Sequence, residues 1–236
     1  MSDATPHSAD ATAGAPDEEI YSGEFYSDIE EGVLRSARVI VPMVHEIAAP
    51  QSVLDLGCGT GAWLAEFARL GAVRVSGFDG PWVDVERLHI PRERFAPVDI
   101  NDLGEPPERH ELAVCLEVAE HLPDSSSERL VSYLTAAAPT ILFSAALPGQ
   151  GGVGHVNEQW LDYWAERFAQ RGYRLYDVLR SRIWDDEDVE PWYAQNIVLF
   201  ADGSVPAGRF EASGGSALPM RVVHPRVFHN SLEAWA

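Results

Sequence analysis

Acidic residues recur at the ends of apolar, strand-like runs in this chain. Asp79, Asp99 and Glu117 each close such a run, and Asp55 lies inside an earlier one. The spacing is 20 residues from Asp79 to Asp99 and 18 from Asp99 to Glu117, about the length of one strand-and-helix unit. A lone carboxylate at such a place often caps a helix. Because ligands bind at the carboxyl edge of open α/β sheets, the series predicts a shared binding site.

Three glycines punctuate the stretch SVLDLGCGTG at residues 52–61. An apolar strand pattern stops there, passes through Gly57, Cys58, Gly59 and Gly61, and opens into a helix pattern. Such a turn lets the backbone approach a nucleotide-like ligand closely. A dinucleotide-binding dehydrogenase is the competing interpretation, but its glycines follow the pattern G-x-G-x-x-G. Here the third glycine, Gly61, comes one residue too early for that pattern.

Two histidines are the candidates for a general base. His121 follows the fourth predicted strand, and His155 lies in a glycine-rich loop at residues 148–155 after the fifth. A positioned base contributes about 10²–10⁴-fold to a rate, and His155 is preferred because a glycine-rich loop can close over a substrate. The alternatives are structural. His155 would bond a loop carbonyl, and His121 would hold the junction between strand and helix.

A substrate pocket near these histidines needs polar and aromatic side chains in its lining. The candidates are Tyr26, Arg35, Trp160, Tyr163, Trp192, Tyr193 and Asn196. For each aromatic residue, core packing is the competing role, and Arg35 is either solvated or meets an anionic group of the substrate. The acidic residues 185–188 could hold Mg²⁺, but contiguous acids generally form a solvated loop. No metal ligand is therefore assigned.

The composition excludes several classes of partner and chemistry. The 236 residues carry a net charge of −20, and all 17 basic residues are arginine. Nucleic-acid binding needs a basic surface, and pyridoxal or P-loop chemistry needs a lysine, so neither is expected. No apolar run of about 18 residues is present that could span a membrane. Two cysteines, Cys58 and Cys115, are too few for a disulfide framework. A cytoplasmic protein is expected, and both a monomer and a homodimer stay open.

The elements that position these residues are predicted to form one α/β domain over residues 19–201. Residues 1–18 are predicted to be a disordered tail, and residues 202–236 a partly ordered extension. Apolar spacing predicts a helix from Val33 to Ile47 that Pro42 kinks or splits. The strands after the first, which starts at residue 52, are predicted at residues 73–78, 94–98, 112–116, 140–145, 173–179 and 195–201.

As a set, residues 53–61, Asp79, Asp99 and the run EVAEHL at residues 117–122 resemble class I S-adenosylmethionine-dependent methyltransferases. The resemblance covers residues 52–200. It implies a Rossmann-like α/β sheet of seven strands, mostly parallel with an antiparallel last strand, with helices on both faces and an N-terminal helical extension. S-adenosylmethionine is the cofactor that it implies.

The resemblance also implies roles for individual residues. Asp79 accepts both ribose hydroxyls, the Asp99 side chain takes the adenine amino group, and the Ile100 backbone N–H faces the adenine ring. Trp82 either covers the adenine or ribose or packs in the core. The full set of implied cofactor-binding residues is Asp55, Gly57, Cys58, Gly59, Gly61, Asp79, Gly80, Trp82, Asp99, Ile100 and Glu117.

The motifs GHVNEQW at residues 154–160 and WYAQN at residues 192–196 resemble one bacterial subgroup of this superfamily. Its members are linked to modified sugars and secondary metabolism, antibiotic biosynthesis included. The expected reaction is O-methylation of a small natural product or sugar-containing metabolite. The alternatives are N-methylation of an amino sugar or amino acid, and a non-methylating protein that binds S-adenosylmethionine as a sensor or for cyclisation.

Overall fold

A single seven-stranded sheet organises the chain. The computed structural model describes the backbone of residues 23–211 and 217–234, and the side chains of residues 30–211 and 217–232. The predicted tail at residues 1–18 lies outside these described residues. The strands are β1 (Ser52–Leu56), β2 (Arg74–Asp79), β3 (Phe95–Pro97), β4 (Leu112–Leu116), β5 (Thr140–Ser144), β6 (Arg174–Tyr176) and β7 (Val198–Ala201).

The strand order in the sheet is β3-β2-β1-β4-β5-β7-β6. All pairs from β3 to β5 are parallel, whereas β7 is antiparallel to both β5 and β6. Every residue of β1, β4 and β5 is buried, as expected for strands that are covered on both faces. The predicted fold class is therefore confirmed, including the antiparallel last strand.

Helices cover both faces of the sheet. The α-helices of the described residues are α1 (Gly23–Ala48), α2 (Ala62–Arg69), α3 (Ser127–Ala137), α4 (Leu161–Gln170), α5 (Arg180–Ile183), α6 (Pro191–Asn196), α7 (Gly208–Glu211) and α8 (Pro225–Ala234). The apolar stripes of α1 and α2 pack with the core on one face, and those of α3 and α4 with the core on the other. Within the described residues, none of the helices is long and apolar enough to cross a bilayer.

The N-terminal helix differs from its prediction at Pro42. α1 is one element of 26 residues with Pro42 inside it, although proline removes a backbone donor and crowds the preceding turn. Ile40, Val41 and Val44 lie on either side of Pro42 and are completely buried. Their burial in the core stabilises the helix across this site, so Pro42 does not split it, and the alternative of a kink stays a prediction.

The last two strands are shorter than predicted, and a helix occupies the predicted start of the seventh. Residues 191–196 form α6, which begins at Pro191, a residue whose fixed φ suits the first helical turn. The sixth strand ends at Tyr176, and the chain then turns around a buried ion pair. In that pair, Arg180 donates to Asp177 over 2.6 Å, with side chains 2% and 1% exposed.

We expect Asp177→Ala to lower the free energy of unfolding by about 3–5 kcal/mol, because it leaves the Arg180 guanidinium buried without its counter-ion. The control variant Glu128→Ala removes the partner of Arg171 at the surface, where the two side chains are 56% and 35% exposed. Its cost should stay below about 1 kcal/mol. Urea denaturation measures both values. Equal losses in the two variants would contradict the role assigned to the buried pair.

Candidate active site

A cavity of about 420 Å³ opens at the carboxyl edge of β1, β2 and β4, beneath the N-terminal half of α1. This volume lies in the range of small-molecule and cofactor sites. The predicted site residues that line it are Asp55, Gly57, Cys58, Gly59, Asp79, Trp82 and Tyr193. Asp55 from β1 and Asp79 from the end of β2 therefore both line one cavity.

The glycine-rich turn borders the cavity in a conformation that side chains disfavour. Gly57 has φ of 80° and Gly59 has φ of 52°, in the left-handed region. A Cβ at Gly57 would collide with the Val118 side chain, whereas the space beside Gly59 is open. The backbone at Gly59 is thus accessible to a ligand. Gly61, which precedes α2, lies outside the cavity lining and packs near Ile90.

Asp55 brings an unsatisfied carboxylate to the cavity. The residue is 2% exposed, and its Oδ2 atom has no hydrogen-bond partner among the described residues. Burial raises the pKa of Asp55 well above its usual range, and the charge of Asp79 adds to that rise. A buried acceptor without a partner is costly. Asp55 is therefore suited to a ligand that carries a positive charge or a donor.

Asp79 is held by the two loops that flank it. Its Oδ2 accepts from the Gly59 backbone N–H over 2.7 Å, and its Oδ1 from that of Gly80 over 2.6 Å. Each oxygen keeps lone-pair capacity for a further donor, such as a ribose hydroxyl. Gly80 itself is outside the lining and lies under the Trp82 indole. Trp82 is 58% exposed at the mouth of the cavity.

Asp99 and Ile100 are not brought to the cavity. Asp99 is exposed, and its Oδ1 accepts from the Asn101 backbone N–H over 2.9 Å, capping a short 3₁₀ turn. Ile100 packs partly buried against the core. Their predicted contacts with adenine therefore stay a prediction.

Glu30 in α1 ties that helix over the cavity, and the sequence analysis did not identify it. Its carboxylate accepts from the Thr60 hydroxyl and faces the His89 Nε2, each over 3.0 Å, and it pairs with Arg87. Burial would raise the pKa of Glu30, but these three neighbours together lower it. The partners lie 30 to 59 residues away along the chain, so no local pattern in the sequence could indicate them.

Glu117 lies beside the cavity, although it does not line it. Its backbone has φ of 54°, and its carboxylate accepts from Gln150 Nε2 over 2.9 Å and from Asn196 Nδ2 over 3.2 Å. Burial raises the pKa of Glu117, and hydrogen bonds that include Ser144 oppose the rise. The predicted cofactor residue and the predicted substrate residue Asn196 thus bond to each other.

Three further groups could hold a divalent cation. One ligand atom each of Glu120, His121 and His155 lies within 4.8 Å of the other two, and the two imidazole rings meet edge to face at 4.9 Å. His155 Nδ1 lies 3.0 Å from Glu158 Oε1, an arrangement that often orients a metal-binding histidine. Two histidines and one carboxylate suit transition-metal ions.

Glu120 provides the test of whether a cation fits this cluster. The residue is 0% exposed, and neither carboxylate oxygen has a hydrogen-bond partner among the described residues. Burial raises the pKa of Glu120, the charge of Glu117 adds to the rise, and backbone N–H groups nearby oppose it. Such a carboxyl group fits a cation. The acidic run at residues 185–188, the one cation site weighed from the sequence, lies elsewhere, and there Asp186 accepts from the Asp188 backbone N–H in a local turn.

The predicted acceptor residues are separated by the structure. Tyr193 lines the cavity and packs against Trp63, and Trp192 is partly buried in the core beside it. Arg35 pairs with Glu190 over 3.0 Å and does not line the cavity, and its contact with the substrate stays a prediction. The Tyr26 side chain lies outside the described residues.

Trp160 and Tyr163 do not line the cavity. The Tyr163 hydroxyl bonds Ser127 over 3.0 Å, and the Arg167 guanidinium covers its ring at 3.5 Å. The guanidinium of Arg221 lies 6.0 Å from the Trp160 ring. The partners of Tyr163 and Trp160 include residues far away along the chain, such as Ser127 and Arg221, so no local pattern in the sequence could indicate them.

Family comparison matches residues 31–180 to a model described as a methyltransferase domain, which is more than half of the 236 residues. The chain belongs to the class I S-adenosylmethionine-dependent methyltransferases. The predicted family and its cofactor, S-adenosylmethionine, are therefore confirmed.

Two curated relatives of this methyltransferase carry the same name. This chain is 38% identical over 84 residues to the ubiquinone biosynthesis O-methyltransferase of Proteus mirabilis, and the match covers 33% of this chain and 34% of the relative. It is 33% identical over 91 residues to the protein of the same name from Neisseria meningitidis, covering 35% and 38%. The match thus spans about a third of each relative.

Solved structures share the fold. Magnesium protoporphyrin IX methyltransferase from Synechocystis, with bound SAH, matches at a TM-score of 0.56 and 17% identity, over 78% of this chain and 89% of that one. The methyltransferase domain of bacterial CtHen1-C matches at 0.54 and 19% identity, over 72% and 99%.

The positions of the acids generate a test by substitution. We expect Asp79→Asn to weaken binding of S-adenosylhomocysteine by about 10-fold or more, because one of its two carboxylate acceptors becomes a donor. Asp99→Asn should leave the affinity within about 2-fold. Isothermal titration calorimetry measures both values. An equal loss of affinity in the two variants would show that Asp99 also contacts the ligand and that the binding site extends beyond the cavity.

Proposed function

We propose that this methyltransferase methylates a hydroxyl oxygen of a small acceptor that presents two neighbouring hydroxyl groups, such as a catechol or a sugar diol. The observation that carries the proposal is the cation-competent cluster of Glu120, His121 and His155 beside the cofactor cavity. The relatives named ubiquinone biosynthesis O-methyltransferases support a small acceptor methylated at oxygen. None of these names supports a natural-product or sugar pathway, so a sugar-containing metabolite stays one form of the proposal.

The cofactor site binds S-adenosylmethionine and shields the reacting atoms from water. S-adenosylmethionine supplies a methyl group activated by its sulfonium charge. Asp55 and Asp79 bind its polar groups at the ends of β1 and β2, and the buried acids favour a cationic ligand over an anionic one. α1, held by Glu30, covers the site and keeps water away from the reacting atoms.

The histidine cluster holds the acceptor end. A divalent cation bound there would lower the pKa of an acceptor hydroxyl and orient two neighbouring oxygens. Glu120, His121 and His155 supply three ligands and leave further positions open, as catalytic metal sites do. Without a bound cation, His155 could act instead as the predicted general base, because its Nδ1 is fixed by Glu158 and its Nε2 is then free to take a proton.

Labelled S-adenosylmethionine distinguishes these roles. We expect methyl transfer to 3,4-dihydroxybenzoate or to a methyl glycoside, a loss of at least about 100-fold in EDTA, and recovery with Mn²⁺ or Mg²⁺. Glu120→Gln should lose the response to cation, whereas the surface variant Glu105→Gln should keep full activity. Transfer that survives EDTA but is lost in His155→Ala would overturn the cation and leave the general base.

Amine acceptors provide the second candidate function. The unpartnered Glu120 carboxylate would also suit an ammonium group of an amino sugar or amino acid. Transfer to an amine in the presence of EDTA, with none to the diols, would establish N-methylation instead. Cofactor binding without transfer to any acceptor would favour the non-methylating alternative.

A further inference from the structure

Residues 217–232, which we name the C-terminal segment, dock across the face formed by α5 and α6. The Leu218 backbone N–H donates to Asp177 Oδ2 over 2.6 Å. Arg180 donates to the carbonyls of Leu218 and Pro219 over 3.2 and 3.3 Å. The buried ion pair of Asp177 and Arg180 therefore anchors the start of the segment.

Two further contacts bring the segment to the active-site loops. The His224 backbone N–H donates to Gln195 Oε1 over 2.7 Å, and its ring nitrogen Nε2 bonds the Trp184 carbonyl over 2.7 Å. In α8, the Ser231 hydroxyl donates to the Gly149 carbonyl over 3.0 Å. The segment thus contacts both α6 and the glycine-rich loop.

Gln195 links the C-terminal segment to Glu117 through a chain of side-chain amides. The hydrogen bonds of this chain can run in only one donor-to-acceptor direction. A backbone N–H can only donate, so His224 requires the oxygen of Gln195, and the Gln195 amino group must donate onward. It does so to Gln150 Oε1 over 2.9 Å. Gln150 then turns its own amino group to Glu117 Oε2 over 2.9 Å. Because Gln195 is 1% exposed, no water can replace a lost partner easily.

The glycine-rich loop depends on such external contacts for its position. Four of its glycines have positive φ, so its own backbone imposes little stiffness. Glu158 accepts from the N–H groups of Gly149 and Gly151 over 2.8 and 2.9 Å, and Gln150 and Gly149 carry the remaining contacts described above. This loop also carries His155.

We propose that Gln195 is a positioning residue through which the C-terminal segment sets the orientation of Gln150 and Glu117 and the placement of the loop that carries His155. The proposal concerns the acceptor end of the site and leaves the cofactor cavity unaffected. Only its effect on cation binding rests on the proposed function; its effect on the loop does not.

Hydrogen exchange and cation binding test this role in three variants of the full chain. Gln195→Met removes both ends of the link. Gln195→Glu keeps the acceptor for His224 but has no donor for Gln150. Ser231→Ala removes only the surface contact with Gly149, and so cannot unfold the core. Gln170→Met, an exposed position at the end of α4, is the matched control.

We expect both Gln195 variants to speed amide exchange in residues 148–157 at least about 10-fold and to weaken Mn²⁺ binding by about 10–100-fold. S-adenosylhomocysteine affinity should stay within about 2-fold, and Ser231→Ala should speed exchange at the same loop by a smaller factor. Calorimetry and paramagnetic titration with Mn²⁺ give the affinities.

Unchanged loop exchange in the Gln195 variants would overturn the positioning role. So would equal losses of cation and cofactor affinity, because these would indicate a general structural defect. If Gln195→Met fails to fold, unchanged exchange in both Gln195→Glu and Ser231→Ala overturns the proposal on its own. A wild-type protein that binds no Mn²⁺ would refute the cation of the proposed function, and the exchange rates would still decide the role of Gln195.

Discussion

Four carboxylates lie near the carboxyl edge of the sheet, three of them buried and one, Glu117, partly buried. They are Asp55, Asp79, Glu117 and Glu120. None of them forms an ion pair within the described residues. Burial favours the protonated form of each group, and positive charge from a ligand would favour the ionised form. A sulfonium cofactor and a divalent cation both supply such charge, which joins the cofactor cavity and the histidine cluster in one physical account.

Two elements outside the sheet contact residues at this edge. α1 covers the cofactor cavity and is held by Glu30, which contacts the glycine-rich turn and the loop after β2. The C-terminal segment reaches the acceptor end through Gln195 and Ser231.

Local patterns predicted the parts of the fold that local forces decide. The predicted bounds of β4 match the structure, because a continuous apolar run that is buried on both faces has few alternatives. Pro42 does not end or divide α1, because packing of this helix in the core overrides the local preference of proline against helix interiors. The start of β7 was misplaced because Pro191 begins a helix there. The partner of Arg35 lies 155 residues away, and the three groups of the histidine cluster come from two loops, so neither arrangement has a local signal.

The central claim is that one carboxylate-rich edge binds a cationic cofactor and a divalent cation side by side. A crystal structure with S-adenosylmethionine and Mn²⁺, with anomalous data at the manganese edge, tests it most directly. We expect the nucleoside in the cavity lined by Asp55 and Asp79. We also expect an anomalous peak for a Mn²⁺ ion within bonding distance of Glu120, His121 and His155. Nucleoside in the cavity with no peak at these three residues, under saturating Mn²⁺, would contradict it.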